Sequence, residues 1–150
     1  MDIKGHSTFC VLIFLCGLAA ADTRMAFSDL PAAVQKAAKS QIQGAQVLAA
    51  SSEKEDGRTT YEVETKVDGK SRDLSFNASG QLLEVEQQVD LNSIPAAAKT
   101  SLLKSAGSGT IQKVESVTAG KSVSYEATVT TNTGHHTEIA VNADGTRHRD

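Results

Sequence analysis

Leu30-Pro31-Ala32-Ala33 recurs as Ile94-Pro95-Ala96-Ala97, and Tyr61-Glu62 recurs as Tyr125-Glu126, both at an offset of 64 residues. Asn77-Ala78-Ser79-Gly80 recurs as Asn142-Ala143-Asp144-Gly145, now at an offset of 65. A chain that repeats itself at this spacing is built from one supersecondary unit used twice, and the fold must satisfy the same pattern in both places. One extra residue has entered between Tyr125 and Asn142, and hairpin geometry says where.

In the first copy Asp68-Gly69 is a two-residue turn signal that requires positive φ at both positions. Folding there sets Val67 opposite Lys70, Thr65 opposite Arg72, Val63 opposite Leu74 and Tyr61 opposite Phe76. The large apolar residues fall on one face, while Glu62, Glu64, Lys66, Asp73 and Ser75 fall on the other. In the second copy the turn becomes Asn132-Thr133-Gly134, one residue longer, with glycine at the left-handed position. That register pairs Thr131 with His135, Val129 with Thr137, Ala127 with Ile139 and Tyr125 with Val141, and the apolar face survives the insertion.

Before each hairpin the apolar residues recur at helical spacing: Leu30, Ala33, Val34, Ala37, Ala38, Gln41 and Ile42, then Ile94, Ala97, Ala98, Ser101, Leu102 and Ala106. Pro31 and Pro95 suit the first helical position, and Gly44 and Gly107 suit the stops. Short β-like runs follow at Gln46 to Ala50 and Ile111 to Val117. Leu82 to Val89 reads as a further strand with an ambiguous register, and the second copy reaches Asp150 where its counterpart would begin. The expected fold class is α+β, a tandem repeat of helix-backed antiparallel β-sheet units. The expected division is 22–89 for the first unit, with its core over 30–89, and 90–150 for the second. The second unit is expected to be weaker, because Ala127 stands where the first has Val63 and its last strand is truncated.

Residues 1–21 read as an export signal. Lys4 precedes an apolar run from Phe9 to Leu18, and Ala19-Ala20-Ala21 supplies small residues for cleavage before Asp22. The run is too short to span a bilayer, and no later segment approaches that length. Both cysteines, Cys10 and Cys16, fall inside the signal, so the mature chain is expected in a periplasm or secreted, without disulfides or thiolate ligands. A net charge of −3 with no basic stripe argues against nucleic acid.

Leu30 to Val34 (Leu-Pro-x-Ala-Val), Tyr61 to Glu64 (Tyr-Glu-Val-Glu) and Asn77 to Glu84 (Asn-Ala-x-Gly-x-Leu-Leu-Glu) together resemble the PepSY-like domain. More narrowly the chain is similar to the beta-lactamase-inhibitor-like, PepSY-like periplasmic proteins, over Leu30 to Gly145. The resemblance implies helix-backed antiparallel sheets in tandem, with the uncovered sheet face open to a protein partner.

Few residues suggest chemistry. His135, His136, His148 and Asp150 form the one ligand-like cluster, but adjacent His135 and His136 point to opposite faces of a strand, so neither a metal nor a cofactor is expected. Glu62, Glu64, Asp73, Glu126 and Glu138 lie on outward strand positions, where carboxylates are expected to be solvated and unshifted, which is no setting for acid–base catalysis. No Gly-x-Ser-x-Gly elbow is present, and no catalytic residue or enzymatic activity is expected. Tyr61 and Tyr125 read as core aromatics, and Asn77 and Asn142 as turn caps. The expected function is an exported, non-enzymatic protein-binding or inhibitor-like module that meets another envelope or secreted protein. The residues expected on its binding face are Glu62, Glu64, Lys66, Arg72, Glu126, Thr128, Thr130 and His136. The alternatives are an envelope protein that handles a metal or small ligand through the His-rich turn, and a structural envelope protein without a dedicated ligand.

Overall fold

The computed structural model describes residues 23–148 except 43 and 56. The expected signal over 1–21, with Cys10 and Cys16, and also Asp150, lie outside the described residues. The elements run β1 (Thr23–Met25), a single 3-10 turn (Phe27–Asp29), α1 (Ala32–Gln41), β2 (Gln46–Glu55), β3 (Arg58–Val67), β4 (Lys70–Asn77), β5 (Leu82–Gln88), α2 (Ala96–Ala106), β6 (Thr110–Ala119), β7 (Ser122–Thr130) and β8 (His136–Asn142). The eight strands form one sheet in chain order, and every neighbouring pair is antiparallel. The two halves therefore share a sheet, joined where β5 pairs with β6 from Glu84↔Ala119 to Gln88↔Glu115.

Both hairpin registers fall as the turn chemistry dictates. Tyr61 faces Phe76 and Val63 faces Leu74, while Tyr125 faces Val141 and Ala127 faces Ile139. Asp68 and Gly69 take φ of 51° and 83°, the left-handed pair that a two-residue hairpin turn needs. The longer second turn closes with Thr131 N–H donating to the His135 carbonyl at 2.8 Å. The strands flanking these hairpins run further than the apolar runs suggest. β2 continues through Ser51-Ser52-Glu53 and β6 through Thr118-Ala119, because ladder hydrogen bonds with β3 and β7 need no apolar side chain. Both strands carry an irregularity at matching places, between Val47 and Ala49 and between Ile111 and Lys113.

Each helix begins one residue later than expected. Pro31 and Pro95 are extended, with ψ of 141° and 139°, and sit at the cap. Their carbonyls accept the first helical bonds, from Gln35 N–H at 2.9 Å and Lys99 N–H at 3.0 Å. Proline costs nothing there, since a capping residue needs no intrahelical donor. No helix among the described residues is long and apolar enough to cross a membrane.

Both helices lie on the same face of the sheet, over two separate cores. The first gathers Leu30, Val34, Ala38, Ala50, Val63, Leu74 and Phe76, with Tyr61, Leu82 and Val85 packed against them. The second gathers Ile94, Ala98, Leu102, Val114, Ala127, Val129 and Val141, with Tyr125 and Ile139 alongside. The Gly80 and Gly145 turns bring backbone against each helix. A Cβ on Gly80 would meet the Ala33 carbonyl oxygen at 2.5 Å, and one on Gly145 would meet that of Ala97 at 2.7 Å. Ala127, the residue expected to weaken the second unit, is fully buried in the second core. Leu102 stands where α1 has Ala38, and the larger helix residue offsets the smaller strand residue. Past Asn142 the chain turns back on β8, with an Arg147↔Val141 bridge and His148 N–H donating to the Ala140 carbonyl at 3.1 Å.

Candidate functional site

With the helices on one side, the period of two along each strand assigns the opposite face. Cross-strand pairing carries Glu62 to Ser75 and on to Glu84, and carries Glu64 to Asp73 and on to Glu86. Next to these, Gln88 pairs with Glu115, which pairs with Glu126. Lys113 pairs with Thr128, Thr128 with Glu138, and Thr130 with His136. Of the binding residues expected from the sequence, Glu62, Glu64, Lys66, Glu126, Thr128, Thr130 and His136 thus fall on this open face.

Arg72 does not. It pairs with Thr65 on the helix side, where its Nη1 donates to the Gln41 carbonyl at 2.9 Å and satisfies one of the orphan acceptors at the end of α1. Parity alone decides this, because Arg72 precedes outward Asp73 by one residue.

The open face is not uniformly wet either. Glu62, Glu115 and Glu126 are 7%, 3% and 4% exposed, although both helices pack on the other side. Of the carboxylates expected to be solvated, Glu62 and Glu126 are buried and Glu64 and Asp73 half-buried, while Glu138 is exposed.

At the centre, Asp73 of β4, Glu86 of β5 and Glu115 of β6 bring carboxylate oxygens within 4.8 Å of one another. Burial pushes Asp73 up to about 6, against the Thr65 N–H that donates to its Oδ1 at 3.2 Å; Glu115 and Glu64 add to the rise. Glu86 is pushed up to about 10, first by burial and then by Glu115, Glu84, Glu126 and Glu62. It therefore holds a proton at neutral pH. Lys113 is held above the usual lysine range: burial lowers it, but the hydrogen bond to Glu115 and the charges of Glu115, Asp73 and Glu86 prevail. Its Nζ lies 2.7 Å from Glu115 Oε2, and Ser71 Oγ donates to Glu115 Oε1 at 3.2 Å. Oxygen donors of this kind suit a hard cation, and the cation the chain supplies is the Lys113 ammonium.

The sequence reading missed this centre because two members belong to strands whose register it left open. Glu86 lies on β5, and Glu115 lies on a strand that had not been paired with β5. The signal was present as Glu84-x-Glu86, an acidic alternation beside that of β3. The His-rich turn builds no comparable group. Among the described residues the cluster of candidate metal-ligating side chains contains no histidine. His136 Nδ1 lies 3.1 Å from Thr130 Oγ1, while His148 Nδ1 lies 2.7 Å from Asn142 Oδ1. Asn77 caps its turn, accepting from Ser79 N–H and Gln81 N–H at 3.0 Å each. In the second turn Asp144 does that work, accepting from Thr146 N–H at 2.9 Å, and the Asn142 side chain turns to Thr146 and His148 instead.

Comparison with known proteins bears on the fold. Residues 31–86, the stretch from α1 to β5, match the PepSY family model, described as peptidase propeptide and YPEB domain. No curated protein matches the sequence. Among solved structures, a Bacteroides eggerthii protein described as periplasmic is similar with a TM-score of 0.65 at 18% identity, over 80% of this chain and 86% of that one. A DUF2874 family protein from Bacteroides uniformis gives 0.64 at 19% identity, over 79% and 86%. A BLIP-like protein from Bacteroides fragilis gives 0.56 at 21% identity, over 78% and 82%. The likeness spans both halves and supports a PepSY-like, α+β architecture.

Proposed function

We propose that the chain is an exported, non-enzymatic binding module whose open sheet face meets another envelope or secreted protein. The observation that carries this reading is the one-sided placement of α1 and α2, which leaves the opposite face of an eight-stranded sheet to mostly polar and charged side chains, with Val117 and a few alanines among them. Uncovered faces on a rigid scaffold are recurrent recognition surfaces. Export rests on the signal read in residues 1–21, and it is supported by the periplasmic description of a protein of the same fold. The two halves are read as tandem copies of one unit, 22–89 and 90–150, each setting a helix over its own hairpin.

Site-specific photocrosslinking tests the reading. A photoreactive residue at Lys66 or His136, both exposed on the open face, is compared with one at Lys36 or Leu103 on the outer surfaces of the helices. One defined adduct formed in the source cell from Lys66 and His136, and from neither helix position, is the expected result. Adducts from the helix positions alone would place recognition on the other side and end the proposal.

A further inference from the structure

Strand parity and helix phase sort the charges of the molecule by side. Every Asp and Glu of strands β2 to β8 stands at an open-face register position. Neither α1 nor α2 contains an Asp or Glu, and their charged residues are Lys36, Lys39, Lys99 and Lys104. The strands add Lys54, Lys70 and Arg72 at helix-side positions. The other described acids, Asp29, Asp68, Asp90 and Asp144, belong to turns, and Asp90 is engaged by Lys70 at 2.8 Å. In its helices and strands, the helix side is thus cationic throughout. Lys36, Lys39 and Lys104 are exposed. Among the described residues none of the four helix lysines is in an ion pair. Lys99 Nζ donates to Asn92 Oδ1 at 2.7 Å, and Lys39 Nζ lies 5.9 Å from the centre of the Phe27 ring. The rest of the outer helix surface is small or apolar. Ala32, Ala33, Ala96 and Ala97 are exposed, and Leu103, next to Lys104, is 46% exposed.

We propose that this side docks on an anionic lipid bilayer, with the helix lysines at the headgroups and Leu103 immersed among them. The surface is distinct from the open face of the proposed function, and neither reading depends on the other. Charge complementarity selects the sign of the occupant. Form selects its class. The cations run from Lys54 on β2 to α2, which packs on β7 and β8, and at about 4.8 Å per strand this spreads them over roughly 25 Å. A single small anion cannot reach so dispersed a set, whereas a bilayer presents anionic groups all along it. Short alanine side chains let the helices lie close to that plane, while the lysine stems follow apolar surface and keep their ammonium groups in the headgroup layer. Leu103 is the one large apolar side chain exposed on either helix, and immersion removes it from water. Docked this way, the molecule turns its acidic open face away from the like-charged lipid and towards a protein partner.

Flotation of mature 22–150 with vesicles tests this, using one part phosphatidylglycerol to two parts phosphatidylcholine and, beside it, phosphatidylcholine alone. The expected result is binding to the anionic vesicles only, lost as salt is raised towards about 1 M, where charges are screened beyond about 3 Å. Lys36→Gln and Lys104→Gln are each expected to lower partition about fivefold. Arg58→Gln, which makes the same change in net charge at an exposed open-face position, is expected to leave it unchanged. The sequence contains no tryptophan, so Leu103→Trp reports immersion. Its emission is expected to move to the blue with the anionic vesicles, and that of Arg58→Trp to stay. No binding to anionic vesicles at low salt overturns the inference, as does binding that Arg58→Gln weakens as much as the helix substitutions do. A soluble polyglutamate that binds where the vesicles do not would make the occupant an acidic polypeptide and overturn it too. Each of these failures leaves the open-face partner standing, because lipid contributes no protein adduct to the crosslinking.

Discussion

The first core and the second reach closure by opposite distributions of volume. In the first, α1 presents Val34 and Ala38 to a sheet carrying Val63, Leu74 and Phe76. In the second, α2 presents Ala98 and Leu102 to a sheet carrying Ala127, Ile139 and Val141. Big and small have changed sides, yet Ala38, Val63, Leu102 and Ala127 are all 0% exposed. A repeated pattern fixes where apolar residues stand, and the total volume across the interface, shared between helix and sheet, fixes which ones. The outer flanks differ as well. Leu74 is fully buried with Val85 of β5 beside it, whereas Ile139 is only half-buried on β8.

The largest effect that separates the halves comes from their biggest core side chains. Phe76→Ala is expected to cost about 3–5 kcal/mol and Leu102→Ala about 2–5 kcal/mol, read by urea denaturation. If instead Leu102→Ala were nearly neutral, the compensation between helix and sheet would be wrong. Crossing the two solutions sharpens the point. Ala38→Leu alone is expected to overpack the first core at about 1–3 kcal/mol, and Val63→Ala combined with it to recover part of that cost. Strict additivity would show that the two sites do not share a space.

Gly80→Ala and Gly145→Ala compare the two turn-to-helix contacts. Both glycines sit at positive φ, 81° and 82°, and both would drive a Cβ into a helix carbonyl. Each substitution is expected to cost about 1–3 kcal/mol. A second-unit loss much smaller than the first would mark the end near Asp150 as able to yield.

The acidic seam between the halves gives a pH effect of opposite sign to ordinary acid denaturation. Asp73 is raised from 3.8 to about 6 and Glu86 from 4.5 to about 10, so the folded state binds more protons than the unfolded chain between those values. The stabilisation they give is complete below their unfolded values. It is lost from about pH 4 to 6 for Asp73, and through about pH 10 for Glu86. The midpoint of thermal unfolding is expected to fall from pH 5 to 8, and Glu86→Gln to flatten that fall. A midpoint that rises over this range in the wild-type chain, unchanged in the variant, would remove the seam as its cause. The smallest difference is at the helix ends. Arg72 caps α1, and the position matching it in β8 is Thr137, so Arg72→Ala is expected to cost about 0.3–1 kcal/mol.

Much of this was legible in the chain. The offsets of 64 and 65, the Asp68-Gly69 turn and the inserted residue in Asn132-Thr133-Gly134 determined both hairpin registers, because a turn type and a period of two leave one arrangement with the apolar residues together. The helices and the faces of Glu64, Lys66, Thr128 and His136 follow from the same local rules. Tertiary structure decided that β5 pairs with β6, and that pairing joins the two halves of the chain in one sheet. Nothing local specifies it, since Glu84 to Gln88 could present either edge until the neighbouring strand was placed. The meeting of Asp73, Glu86 and Glu115 follows from that junction. A sequence gives the parity of a side chain along its own strand, but how dry that side chain becomes depends on residues from strands far away in the chain.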